Sequence, residues 1–230
     1  MDFAKFVSLI SSQSLYFTRL DIFKDPFEYS YSKANVHDWQ ERLKHLGAEI
    51  PAEMGIFQIA KIFKTSTYAS CWHLNKHESA AMWKLYAESN QAVAVQTTYR
   101  RLVDVLPDNL SPGPAGRLHD IIFVSRVKYI DYEKDRLPEG QLLSPVIHKR
   151  LSFSHEQEVR AFFIVELTQD LQPDPQKGKA VKVNLSELIE KVHVAPAAPD
   201  WYRNVVKEVM NKYEIDKPVI SSSLDDRPVY

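Results

Sequence analysis

The chain has 230 residues, 44% of them hydrophobic, which is ample for a sizeable core in one folded unit spanning 1–230. Its 29 basic and 30 acidic residues balance to a formal charge of −1, so no global field points to nucleic acid or an anionic membrane, and only a local basic patch stays open. A single cysteine, Cys71, excludes an internal disulfide framework and a cysteine-based zinc site. With no signal-peptide pattern in MDFAKFVSLISSQS and no membrane-length apolar run, the expectation is a soluble cytoplasmic protein.

LYFTRL (15–20) alternates as a strand and runs into the turn chemistry of KDPFE, with Arg19 near the strand end. Apolar spacing from Asn35 to Lys64 predicts two helices broken around Gly47 to Pro51. TSTYASCW (65–72) suits a buried strand. Asn75 with Glu78 three residues on resembles a capping box for the helix ESAAMWKLYAES, whose Met82, Leu85 and Tyr86 are expected to face the core. AVAVQTTY (92–99) is the next strand, followed by the helical YRRLVDVL and by PDNLSPGPAGR, read as a flexible loop near 107–117. Strands at IIFVSRVKYI and KAVKVNL follow, then a short helix and strand in LSELIEKVHVAP. An amphipathic helix, PDWYRNVVKEVMNKY, carries Trp201, Val205, Val209 and Met210 on one stripe, and VISSSL precedes a polar C-terminal tail. Helices and strands do not alternate regularly, so the expected class is α+β, a mixed or mainly antiparallel sheet flanked by helices.

LSFSHEQEVRAFFIVEL (151–167) sets charges directly before an apolar run. Read as an extended strand, it places Glu156, Glu158 and Arg160 on one face that continues as Phe162 and Ile164. Leu15, Phe17 and Arg19 repeat the pattern with the opposite charge. If the two strands are neighbours, Arg19 meets Glu156 or Glu158, since an unpaired buried charge is costly. Two readings follow. In one, the Arg19/Glu156/Glu158/Arg160 cluster is a structural ion-pair network in a non-enzymatic module that binds a ligand or a protein. In the other, the charges wall a working cleft. A weaker third reading is nucleic-acid processing by a charged cleft.

Other residues weigh less. Cys71 beside His73 lacks a third group to complete a nucleophilic arrangement. His73, His77 and His155 match no helical metal signature, so no metal is expected. Trp72, Trp83 and Tyr86 read as core aromatics, and Arg100–Arg101 and His148–Lys149–Arg150 as solvated charge runs. The chain has no P-loop, no G-x-G-x-x-G and no G-x-S-x-G.

Three blocks, LYFTRLDIFKDPFE (15–28), CWHLNKHESAAMWKLYAESNQAVAVQTT (71–98) and FSHEQEVRAFF (153–163), resemble the bacterial domain-of-unknown-function family twenty-nine seventy-one. That family shows an aromatic-Ser/Thr-Arg strand before F-x-DPFE, a C-x-x-x-N start leading to M-W-x-x-Y, and an E-x-E-x-R strand. A looser similarity is to ADP-ribosyltransferases of the Arg-Ser-Glu type, because Arg19, Ser66-Thr67 (or Ser70) and Glu156-Gln157-Glu158 occur in that order, although Ser66-Thr67-Tyr68 lacks the third serine. This similarity implies an ADP-ribosyltransferase-like fold and a ribosyl transferase or glycohydrolase with NAD as substrate. Glu158 would support the oxocarbenium ion and Glu156 would activate an acceptor. Arg19 would hold a phosphate, and Ser66 or Ser70 would frame the nicotinamide. The broader class adds toxins and anti-phage effectors. An open pocket edged by Arg19, Glu156 and Glu158 would favour the enzyme; heads sealed and satisfied internally would favour the binding module.

Overall fold

The computed structural model describes residues 1–47, 55–87, 89–108, 110, 121–165 and 175–230. In chain order the elements are α1 (Phe3–Ser12), β1 (Ser14–Arg19), α2 (Lys33–His45), α3 (Ile56–Ser66), β2 (Thr67–His73), α4 (Ala80–Tyr86), β3 (Val93–Gln96), α5 (Tyr99–Val105), β4 (Phe123–Arg126), β5 (Lys128–Ile130), β6 (His148–Arg150), β7 (Glu158–Ile164), β8 (Gly178–Lys182), α6 (Leu185–Leu188), β9 (Lys191–Val194), α7 (Asp200–Lys212) and β10 (Val219–Ser221). Most strand pairs are antiparallel, β5 with β6 and β9 with β10 being parallel, so the class is α+β. The chain divides into two compact units. One is Met1–Tyr16, Asn75–Pro107 and Ala180–Tyr230, and the other is Phe17–Leu74 and Asp108–Lys179. The chain passes from one to the other four times, within β1, after β2, after α5 and within β8. Of the loop expected at 107–117, only Pro107, Asp108 and Leu110 fall among the described residues.

The first unit is built on a sheet ordered β10-β9-β3. Its core includes Phe6 and Ile10 of α1, Leu102 of α5, Val192 of β9, and Tyr202, Val206 and Met210 of α7. Short polar side chains start the helices: Asp2 accepts from the Lys5 amide, Ser79 from the Met82 amide and Thr98 from the Arg101 amide. The cap of α4 is therefore Ser79, while Asn75 accepts from the His77 amide in the preceding turn. Two expected faces are corrected here. Nothing on α4 is buried, Leu85 and Tyr86 being 58% and 55% exposed, because a two-turn helix at a unit's surface need bury no stripe. On α7 the buried row is 202, 206 and 210, which leaves Trp201 exposed.

The second unit holds most of the sheet ordered β4-β7-β2-β1-β8. β7 is buried along its whole length between β4 and β2, which explains the nearly unbroken apolar run AFFI. Leu20, Tyr29, Ala69, Val146 and Phe162 form a core cluster on one face, with Phe23, Phe63 and Phe123 against it. On the other face Phe17 and Tyr68 meet Phe163, at ring separations of 5.2 and 5.5 Å. α2 ends at the expected break, with Gly47 at φ 61 supplying the left-handed residue after the helix.

Candidate functional site

In β7 the register fixes which face each charge takes. Glu158 lies opposite His73, Arg160 opposite Cys71 and Phe162 opposite Ala69, so these side chains share the face of the core cluster. Arg160 is 0% exposed. A guanidinium this deeply buried needs all its donors used, and it has them. Nε donates to Glu158 Oε1 at 2.5 Å and Nη2 to Glu158 Oε2 at 3.2 Å. Nη1 and Nη2 donate to Glu28 Oε2 and Oε1 at 2.7 and 2.9 Å, and Nη1 also reaches the Val146 carbonyl at 2.7 Å.

Glu28 arrives from the DPFE turn. The Asp25 carboxylate accepts from the Phe27 amide, the Glu28 amide donates to the Asp25 carbonyl, and the glutamate is carried inward. The turn is pinned by Arg150, which grips Asp25 at 2.7 and 3.2 Å and stacks over the Phe27 and Phe153 rings. Neighbouring Lys149 points inward instead. Its Nζ reaches Glu156 at 2.6 Å, Glu158 at 3.2 Å and Glu28 at 3.3 Å, beneath the Phe153 ring. His148–Lys149–Arg150 is thus no solvated charge run: His148 and Lys149 are buried and Arg150 is half-buried.

Three carboxylates (Glu28, Glu156, Glu158) therefore meet two cations (Lys149, Arg160) in a buried cluster. Burial alone would push Glu158 up, but Arg160, by charge and hydrogen bond, and then Lys149 hold its carboxyl down at about 2. Burial would likewise lower Lys149, yet Glu158, Glu28 and Glu156 raise it above an ordinary lysine. The Cys71 thiol is pushed well up by burial and then by the nearby Glu158 carboxylate, although the residue as a whole is exposed. A thiol kept protonated in this way is a poor nucleophile. His73 contacts the Glu156 carbonyl at 2.5 Å through Nδ1, which must therefore carry the proton, and its buried Nε2 has no hydrogen-bond partner among the described residues.

Not all of the sequence-nominated residues converge. Glu156 is not in the strand: it ends a 3₁₀ turn (Leu151–Glu156), and Gln157, at φ 40 and ψ 53, redirects the chain into β7. Glu156 and Glu158 still meet, through Lys149. Arg19 is aligned with Tyr68, and Tyr68 with Phe163, so it projects from the opposite face of the sheet, five residues along β7 from Glu158 or about 17 Å. There it bonds Asp21 at 2.6 and 2.9 Å and the Gln176 carbonyl at 3.5 Å. Ser70, opposite Ala161, shares the Arg19 face. Ser66 is buried at the end of α3, its carbonyl accepting from the Val165 amide. Sequence reasoning missed Glu28 and Lys149. The signal for Glu28 was the Asp-Pro turn that delivers it; Lys149 had none, because its neighbours are also basic.

The first unit carries a second polar cluster. Glu78 accepts from Ser222 Oγ, from the Ser223 amide and Oγ, and from Trp83 Nε1 at 2.7–3.0 Å. Burial would raise its carboxyl, but these donors, the Ser223 amide foremost, hold it at about 2. His193 Nε2 donates to Gln96 Oε1, 2.8 Å away, and burial lowers its pKa.

No protein-family model, curated protein or solved structure matches the chain. Among the described residues, no group of three or more His, Cys, Asp or Glu is placed to hold a metal ion, and no helix is long and apolar enough to cross a membrane.

Proposed function

We propose that the chain is a non-enzymatic binding module whose Glu28–Arg160–Glu158 cluster, extended by Lys149 and Glu156, is a structural frame. One observation carries this reading: both oxygens of Glu158 are committed to Arg160 and Lys149 at 5% exposure. A carboxylate that must stabilise a developing oxocarbenium ion has to face the sugar. Arg19 stands on the other face of the sheet, bound to Asp21, where it cannot hold the phosphates of a dinucleotide whose ribose lies against Glu158. The network ties the DPFE turn, β6 and β7 together, which is the work expected of a scaffold that must present a surface in one shape.

The test is incubation with nicotinamide-labelled NAD, with and without protein acceptors, for wild type and Glu158→Gln. The expected result is no nicotinamide release and no label transfer by either. Release by wild type that folded Glu158→Gln loses would overturn the reading in favour of ribosyl chemistry.

A further inference from the structure

In the first unit the Glu78 carboxylate faces a histidine with an empty nitrogen. Its Oε2 accepts from Ser222 Oγ at 2.7 Å and from Trp83 Nε1 at 3.0 Å, and its Oε1 from the Ser223 amide at 2.7 Å and Ser223 Oγ at 2.9 Å. All four donors are neutral, and among the described residues no lysine or arginine pairs with this carboxylate. The one group placed to carry a positive charge beside it is His193, whose Nδ1 lies 3.6 Å from Oε1. The ring's proton is on Nε2, which donates to Gln96, so Nδ1 presents a bare lone pair to the carboxylate. That nitrogen is buried and has no hydrogen-bond partner among the described residues.

Glu78, held at about 2, stays charged wherever a histidine titrates. A proton on Nδ1 would turn a contact between two acceptors into a charge-assisted hydrogen bond once the atoms close from 3.6 Å. The oxygen it closes on is the one that holds Ser223 by amide and hydroxyl together. The other charge acting on the ring is Lys191, two residues back on β9, which opposes the proton as burial does. β3 and β10 bring no ionisable side chain, and Lys84 of α4 is exposed. Arg203 of α7 reaches Ser221, which is aligned with Val194 and so lies on the other face of the sheet, and Asp225 is turned to the Ala197 amide.

We infer that His193 is a proton-operated release for the turn Ser223–Asp225: protonated Nδ1 takes Glu78 Oε1 from Ser223, and the turn detaches. The turn is built to leave, because Ser223, Leu224 and Asp225 are exposed, while Ser222 and Trp83 keep Oε2 in place. The direction follows from linkage. With the turn closed, burial holds the ring's proton affinity below the ordinary histidine value of about 6.5. With the turn released, water reaches the ring and Oε1 is free to pair with it, so the proton binds more readily. Proton binding therefore favours the released form: the turn is closed above the ordinary value and opens as pH falls through it toward the lowered one. The device lies wholly in the first unit and does not depend on the binding-module reading.

The test follows the His193 ring and the Ser223 amide together by nuclear magnetic resonance of the wild-type chain between pH 8 and pH 5. The exchange protection factor of Ser223, which divides out the intrinsic pH dependence of exchange, should fall at least about threefold from pH 7.5 to pH 5.5, within the tenfold that one proton supplies per unit of pH. Its midpoint should coincide with that of the His193 ring. The Val192 amide, bonded to the Pro218 carbonyl in the same sheet, should keep its protection. His193→Gln, which retains a donor for Gln96 and cannot titrate, should abolish the fall; the wild-type readout stands without the variant if the variant does not fold. The inference is overturned if Ser223 protection is constant over this range, if its midpoint differs from that of His193, if Val192 loses protection in parallel, or if the fall survives in folded His193→Gln.

Discussion

Replacing Arg160 by methionine should be among the most damaging single changes available to this chain. The side chain is 0% exposed and makes five hydrogen bonds, four to the carboxylates of Glu28 and Glu158 and one to the Val146 carbonyl. Methionine fills much of the volume and supplies no donor, leaving three buried carboxylates, Glu28, Glu156 and Glu158, with Lys149 as their shared cation. Breaking a buried pair from one side costs about 3–5 kcal/mol, against a total stability of about 5–15 kcal/mol for an ordinary domain. The pH dependence should also change sign. In wild type Glu158 is held at about 2, so its contribution is present above the ordinary carboxylate value and is lost as pH falls toward 2. Without Arg160, burial dominates and the carboxyl rises above its unfolded value. The folded variant then gains stability as pH falls through that raised value, and the gap to wild type narrows in acid. Urea unfolding followed by circular dichroism and tryptophan fluorescence at pH 8 and pH 5 measures both effects. A gap below about 1 kcal/mol at pH 8, or one that does not narrow at pH 5, would refute the reasoning.

Further outcomes follow from the same geometry. Cys71 should react with iodoacetamide more slowly than a free thiol at pH 7.5 despite its exposure, and Glu158→Gln should speed the reaction by removing the charge that keeps the thiol protonated; mass spectrometry of the labelled peptide reads both rates. Glu78→Ala removes the acceptor for Ser222, Ser223 and Trp83 and should cost about 1.5–3 kcal/mol, seen as faster amide exchange at Ser223 and a lower melting temperature. In wild type the same contribution should fade as pH drops from the ordinary carboxylate range toward 2, the direction expected for a depressed carboxyl. Leu85→Ala, on the exposed face of α4, should change stability by less than about 0.5 kcal/mol, whereas a core leucine would cost about 2–5 kcal/mol.

Local chemistry was the legible part. LYFTRL, TSTYASCW and AVAVQTTY contain or overlap β1, β2 and β3, YRRLVDVL contains α5, and PDWYRNVVKEVMNKY contains α7, because each run carries its own period and its own stop. The α+β class followed from their order. What the sequence could not supply was register. Arg19 and Glu158 both end apolar faces, yet alignment of β1 with β2 and of β2 with β7 puts them on opposite sides of one sheet, and only pairing decides that. SHEQEVR also reads as one strand until Gln157 takes a left-handed conformation that moves Glu156 into the preceding turn. Glu156 and Glu158 remain neighbours, but through Lys149, a contact no period encodes. The exposure of Leu85, Tyr86 and Trp201 was hidden for a related reason: a helix pattern shows which residues share a stripe, while the packing around it decides whether that stripe is covered.

The most direct test of the structural role given to the cluster is the titration of the Glu158 carboxyl carbon by nuclear magnetic resonance. Held by Arg160 and Lys149, it should titrate near 2. A midpoint at or above the ordinary glutamate value of about 4.3 would contradict the account, because it would mean that the carboxylate is not locked to its cations and is free to act on something else.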